Sequence, residues 1–213
     1  MTLASGTVNA ISFLALGGVF TSVMTANTAL LGLALGNGHL SLANLAALTI
    51  AAYLVGAAAG SWITAAAGHI LLTGVGGALL AESVLLWSVF TSWLLLDSAP
   101  GTTARSILLA ASAVSMGCQS GSVRVVAGSS VTTAYITGAL TGLVAQATVE
   151  RNLHRHNTLI ILMLPVGAAI GGAAVRWIHL LAPAIPALLV TAALLVTVIR
   201  RQSAPQGDPP PDA

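Results

Sequence analysis

Four stretches of this chain stay apolar over the length of a membrane crossing: Leu42 to Ala67, His69 to Leu96, Thr158 to Ile178 and Ala182 to Ile199. About 20 helical residues cover roughly 30 Å of hydrocarbon. Hydrocarbon offers a backbone amide no water to bond, so a segment that crosses it must pair its own N–H and C=O groups, as a helix does. The expected fold class is therefore an all-α membrane protein.

The rest of the chain agrees. Apolar residues make up 56% of the 213 positions and charged residues only 6%, too few to clothe a water-exposed surface of this size. Net charge is +2, carried by seven arginines and no lysine, without the dense basic patch of a nucleic-acid binder. The single cysteine, Cys118, excludes an intrachain disulfide and a multi-cysteine metal site. Met1 to Gly6 lack the basic start of a signal peptide, so the first apolar stretch is expected to be retained. Residues 202–213, with four prolines and two aspartates, read as a disordered tail behind one membrane domain, 1–201.

A shift of about 111 residues brings the two halves into register. Gly56-Ala57-Ala58-Ala59-Gly60 falls on Gly167-Ala168-Ala169-Ile170-Gly171, Gly17 falls on Gly128, and Met24-Thr25-Ala26 falls, one residue later, on Ile136-Thr137-Gly138. The expected domain thus contains two repeats, about 1–98 and 104–201. Each begins with an irregular segment rich in glycine and hydroxyl residues and continues with two regular apolar segments. Three crossings per repeat, an odd number, would invert the second copy relative to the first, giving about six transmembrane helices in two inverted three-helix repeats. If each irregular segment crossed twice, eight short spans would result. Broken helices are expected near 17–27 and 124–138, where glycine loosens the backbone and hydroxyls can bond the freed groups. Such a break can present helix N-terminal amides to a polar or anionic ligand; the same hydroxyls can also simply join packed helices. In either topology Arg151, Arg155, Arg200 and Arg201 share a side with both termini, which places the termini in the cytoplasm and the chain in a cell membrane. Trp62, Trp93 and Trp177 lie near segment ends, as interfacial aromatics do.

The irregular segments carry a family resemblance. Asn9-Ala10-Ile11-Ser12-Phe13-Leu14-Ala15-Leu16-Gly17-Gly18-Val19-Phe20, Met24-Thr25-Ala26-Asn27, Met116-Gly117-Cys118-Gln119-Ser120 and Tyr135-Ile136-Thr137-Gly138-Ala139-Leu140-Thr141 resemble, in order, four motifs of the YoaK family of bacterial polytopic membrane proteins, a family of unknown function. Asn9 stands where the family usually has aspartate, Ala26 where it has glycine, and Ser120 where it has asparagine. The first departure removes a proton carrier, and the second removes backbone freedom at the break. The resemblance raises the expectation that Thr25, Asn27, Gln119 and Thr137 line a site.

Two charged residues sit at unusual depth. Glu82 lies mid-way along His69 to Leu96, where a carboxylate costs about 2.5–3.5 kcal/mol on insertion scales. It is either a coupling group or a hydrogen-bonded packing residue. Arg124, ahead of the second break, is expected to face a polar cavity, attract an anion or pair with Glu82, or else to reach the interface. The candidate substrate-binding set is therefore Thr25, Asn27, Gln119, Arg124 and Thr137, converging on one cavity, with Glu82 for coupling. His154, Arg155 and His156 read as a solvated loop and not as a metal site. The run Gly117 to Gly121 does not match a nucleophile elbow, and no histidine–carboxylate pair accompanies it. The expected function is a transporter or permease for a small polar or anionic solute, without catalysis, cofactor or nucleic-acid partner, embedded in the lipid bilayer. A scaffold or partner-binding subunit is the rival.

Overall fold

The computed structural model describes residues 1–66, 71–127, 138, 141, 148 and 155–202. Among these the chain is helical, with no strand: α1 (Thr2–Ala15), α2 (Met24–Gly36), α3 (Leu40–Ala66), α4 (Leu71–Leu95), α5 (Thr102–Ala127), α6 (Arg155–Trp177), a 3₁₀ turn (His179–Leu181) and α7 (Ala184–Gln202). Four spans among the described residues are long and apolar enough to cross a membrane: Leu40–Ala66, Val75–Leu95, Thr102–Val126 and His179–Ile199. Thr2–Ala15, Met24–Gly36 and Ile161–Trp177 are shorter apolar helices. The chain is a membrane protein by this architecture. The outward positions agree, since Leu54, Val55, Leu80, Val84, Leu188 and Leu195 are exposed apolar side chains that lipid can cover.

Local sequence explains where the helices stop. Gly17 and Gly18, both at positive φ, end α1, and the Gly18 N–H bonds back to the Phe13 carbonyl at 3.0 Å. Gly38 ends α2 in the same way, with the His39 N–H on the Ala34 carbonyl at 2.8 Å. At the end of α4 the left-handed position falls to Asp97 instead, and the Ser98 N–H reaches the Trp93 carbonyl at 3.0 Å. Each cap satisfies carbonyls that the helix end would otherwise leave unpaired.

Packing follows the small residues. Gly56 and Gly60 of α3 lie against the carbonyls of Val114 and Cys118 on α5, so close that a methyl on either glycine would overlap backbone. Gly117 of α5 meets the Tyr53 carbonyl and Ala57 amide of α3 in return. A second crossing joins α1 to α6: Gly167 and Gly171 lie on the carbonyls of Leu3 and Thr7, and Gly6 meets the Leu164 carbonyl and Ala168 amide. The Thr7 hydroxyl also donates to the Gly167 carbonyl at 3.1 Å. Close backbone approach of this kind is what holds helices together where lipid tails are as apolar as leucine. Three of the glycine contacts at one crossing have counterparts at the other, displaced by 111 positions and with the halves exchanged. Gly56 on Val114 answers Gly167 on Leu3, Gly60 on Cys118 answers Gly171 on Thr7, and Gly117 on Tyr53 answers Gly6 on Leu164.

The same contacts fix helix directions. Residue numbers rise together across both crossings, so α1 is parallel to α6 and α3 to α5. Ala4 and Val8 share a cluster with Leu79 and Leu86, while Leu16 and Val19 share the next with Val89 and Trp93, so α1 is parallel to α4. Numbers oppose between α4 and its other neighbours: Ala78 meets Cys118 whereas Val89 and Trp93 meet Leu108 and Leu109, and Ser83 meets Thr191 whereas Trp93 meets His179. Helices α1, α4 and α6 run one way, and α3, α5 and α7 the other.

Three expectations shift. The first irregular segment is 16–23, so Met24 to Asn27 form the opening turn of α2. The second does not begin at 124, because α5 remains helical through Ala127; residues 128–137 lie outside the described residues. Trp62 and Trp177 are 73% and 76% exposed, as interfacial side chains are, whereas Trp93 is buried and donates its indole N–H to the His179 carbonyl at 3.1 Å.

Candidate functional site

Beyond Gly18 the backbone does not continue as a helix but doubles back along α1. Residues on one face of α1 hold it there: the Ser12 hydroxyl donates to the Val19 carbonyl (3.1 Å), and the Asn9 Oδ1 accepts the N–H groups of Thr21 (2.9 Å) and Ser22 (3.0 Å). The Asn9 Nδ2 donates to the Ser22 hydroxyl (2.6 Å), which also meets the Ser5 hydroxyl (2.9 Å). From the other end Asn27, in the first turn of α2, takes both polar groups of Phe20, accepting its N–H at 2.9 Å and donating to its carbonyl at 2.5 Å. Non-helical backbone at this depth needs such partners, since water does not supply them.

A second polar centre lies between α4 and α5. Glu82 is fully buried; its Oε1 accepts the Gln119 Nε2 at 2.7 Å, and its Oε2 has no partner among the described residues. Ser115, one helical turn before Gln119 on the same face of α5, is also fully buried with a hydroxyl that bonds nothing. Ser112 continues that face and borders a small, mostly apolar cavity of about 20 Å³, lined also by Val8, Ser12, Leu86, Val89 and Trp93. Across α4 from the carboxyl, Thr191 of α7 joins the Ser83 hydroxyl (2.9 Å) and the Trp87 indole N–H (3.0 Å).

The residues singled out in the sequence divide accordingly. Gln119 and Glu82 meet each other. Asn27 is buried at the first break, committed to Phe20. Thr25 and Arg124 are exposed, and Arg124 makes no ion pair with Glu82. Thr137 lies outside the described residues. No hydrogen bond joins any two of Thr25, Asn27, Gln119 and Arg124, so the described members of the set do not form one hydrogen-bonded cluster. Sequence reasoning passed over Ser5 at the break and Ser115 beside the carboxyl. Spacing could have found both: Ser5, Asn9 and Ser12 form a polar stripe on an apolar helix, as do Ser112, Ser115 and Gln119.

The family described as protein of unknown function (DUF1275) matches residues 1–197. The chain belongs to this family. No curated protein and no solved structure gives a significant match to it. For this DUF1275 chain the match covers both glycine crossings, the first break and the Glu82–Gln119 pair, so all of these lie in the part the family defines.

Proposed function

We propose that this DUF1275 protein is a transporter or permease for a small polar or anionic solute, built of two inverted repeats of about 1–98 and 104–201. One observation carries the reading: the two glycine crossings correspond through a shift of 111 positions, and the helices so related run in opposite directions. An exchange of halves with reversed direction is a two-fold axis in the membrane plane, the plan of many secondary transporters, whose sites lie between the repeats near mid-membrane. The first break and the Glu82–Gln119 pair supply non-helical backbone and buried polar groups of the kind such a site needs. The likeness to the YoaK motifs supports the same placement of Thr25, Asn27, Gln119 and Thr137, and Arg124 remains the proposed cationic attraction for an anion. The chain acts without catalysis.

Helix directions also support cytoplasmic termini in the cell membrane. The start of α6 (Arg155) and the end of α7 (Arg200, Arg201) share a face with the end of α5 (Arg124), while Arg105 and Arg176 stand at the other. The test is uptake by liposomes carrying the purified full chain, over a panel of labelled small neutral, zwitterionic and anionic solutes. Uptake of at least one above empty liposomes is expected; uptake of none by folded protein would overturn the reading. A non-transporting scaffold is the second reading, favoured by the fact that Asn9 and Asn27 are occupied with the chain's own backbone.

A further inference from the structure

Among the described residues Glu82 is the one carboxylic acid within a long apolar helix. Its surroundings differ from those of a packing residue, whose lone pairs would be satisfied. One oxygen is held by Gln119, while the other is buried beside α5 with no bond, and one turn along the same face of α5 as Gln119 the Ser115 hydroxyl is equally unbonded.

We propose that Glu82 is the proton-binding site of the transport cycle, with Gln119 orienting one oxygen and the other left to take the proton. This rests on the transport reading above. A proton from water on one face of the membrane bonds to Oε2; after the repeats change position it returns to water on the opposite face, regenerating the carboxylate. The titratable groups on elements packed near this part of α4 are the Met1 amino group ahead of α1, Tyr53 on α3 and Cys118 on α5, with His179 against Trp93 at the end of α4. Helix α7 contributes Thr191, which is not titratable in this range.

Infrared difference spectroscopy on the full chain in liposomes reads the carboxyl directly, with protons and D₂O as probes. The wild-type protein is expected to show a buried-carboxyl band that changes with pH and shifts on transfer to D₂O. Glu82→Gln should lose it, and Glu82→Asp should shift it, which separates assignment from misfolding. For a solute that the uptake panel identifies, Glu82→Gln should lose accumulation driven by a pH gradient while keeping solute-for-solute exchange, a split that a packing role would not produce. A wild-type band indifferent to both pH and D₂O would overturn the proton site and leave transport standing. A responsive band in a protein that moves no solute of the panel would overturn the transport reading instead.

Discussion

Asn9 shows how much one amide can do inside a membrane. Side-chain hydrogen bonds between membrane helices average only about 0.6 kcal/mol, because the groups find other partners when one is removed. Asn9 is different: the amides of Thr21 and Ser22 that it accepts are buried main-chain donors on a non-helical segment. Leaving such a donor unbonded costs about 1–3 kcal/mol. Asn9→Ala and Asn27→Ala are therefore expected to destabilise the protein by that amount each, whereas Thr25→Ala and Arg124→Ala, at exposed positions, should stay within about 0.5 kcal/mol. Thermal unfolding in one detergent compares all four, and an Asn9→Ala variant as stable as wild type would refute the pinning role.

At the scale of elements, the small-residue faces make a sharper prediction. Gly60 and Gly171 occupy matching places in the two crossings, so Gly60→Ala and Gly171→Ala should each cost about 1–3 kcal/mol through backbone overlap. Gly32→Ala, on a part of α2 with nothing near, should be neutral or slightly stabilising. Melting temperatures of the three variants decide it, and equal values would remove the crossings from the account of stability. Much of this was legible beforehand. Apolar length marked α3, α4, α6 and α7, Gly17-Gly18 marked the stop of α1, and the paired Gly-x-x-x-Gly runs marked both faces. What the sequence could not reveal was which helix each face meets, because a stripe of small residues names no partner. The neighbours of Arg124 suggested a break, yet α5 runs on past it and leaves its side chain exposed, while Gln119 reaches Glu82. Trp93 near the end of a span read as interfacial; the turn at His179 folds over it and makes it core.

On the scale of the whole molecule, neither half is complete. Helix α1 finds its close partner in α6, and α3 finds its own in α5, so a chain cut in the connection after α4 leaves both glycine faces of each fragment bare. Residues 1–98 expressed alone are expected to be degraded, and 99–213 likewise, while the two together in one cell should co-purify as a stable pair. Stable accumulation of 1–98 by itself would contradict the exchange. The same arrangement bears on synthesis. Gly6 leaves the ribosome roughly 160 residues ahead of the Gly167 region against which it packs. At about 5–20 residues per second that is a wait of roughly 10–30 s. Through that interval α1 must stay in the bilayer or the insertion machinery with Thr7 and its glycine unmatched, open to proteases that survey unassembled membrane segments. Termination before the last third of the message would orphan the first helix made, and a cell that monitors α1 would detect such a loss without inspecting the missing end.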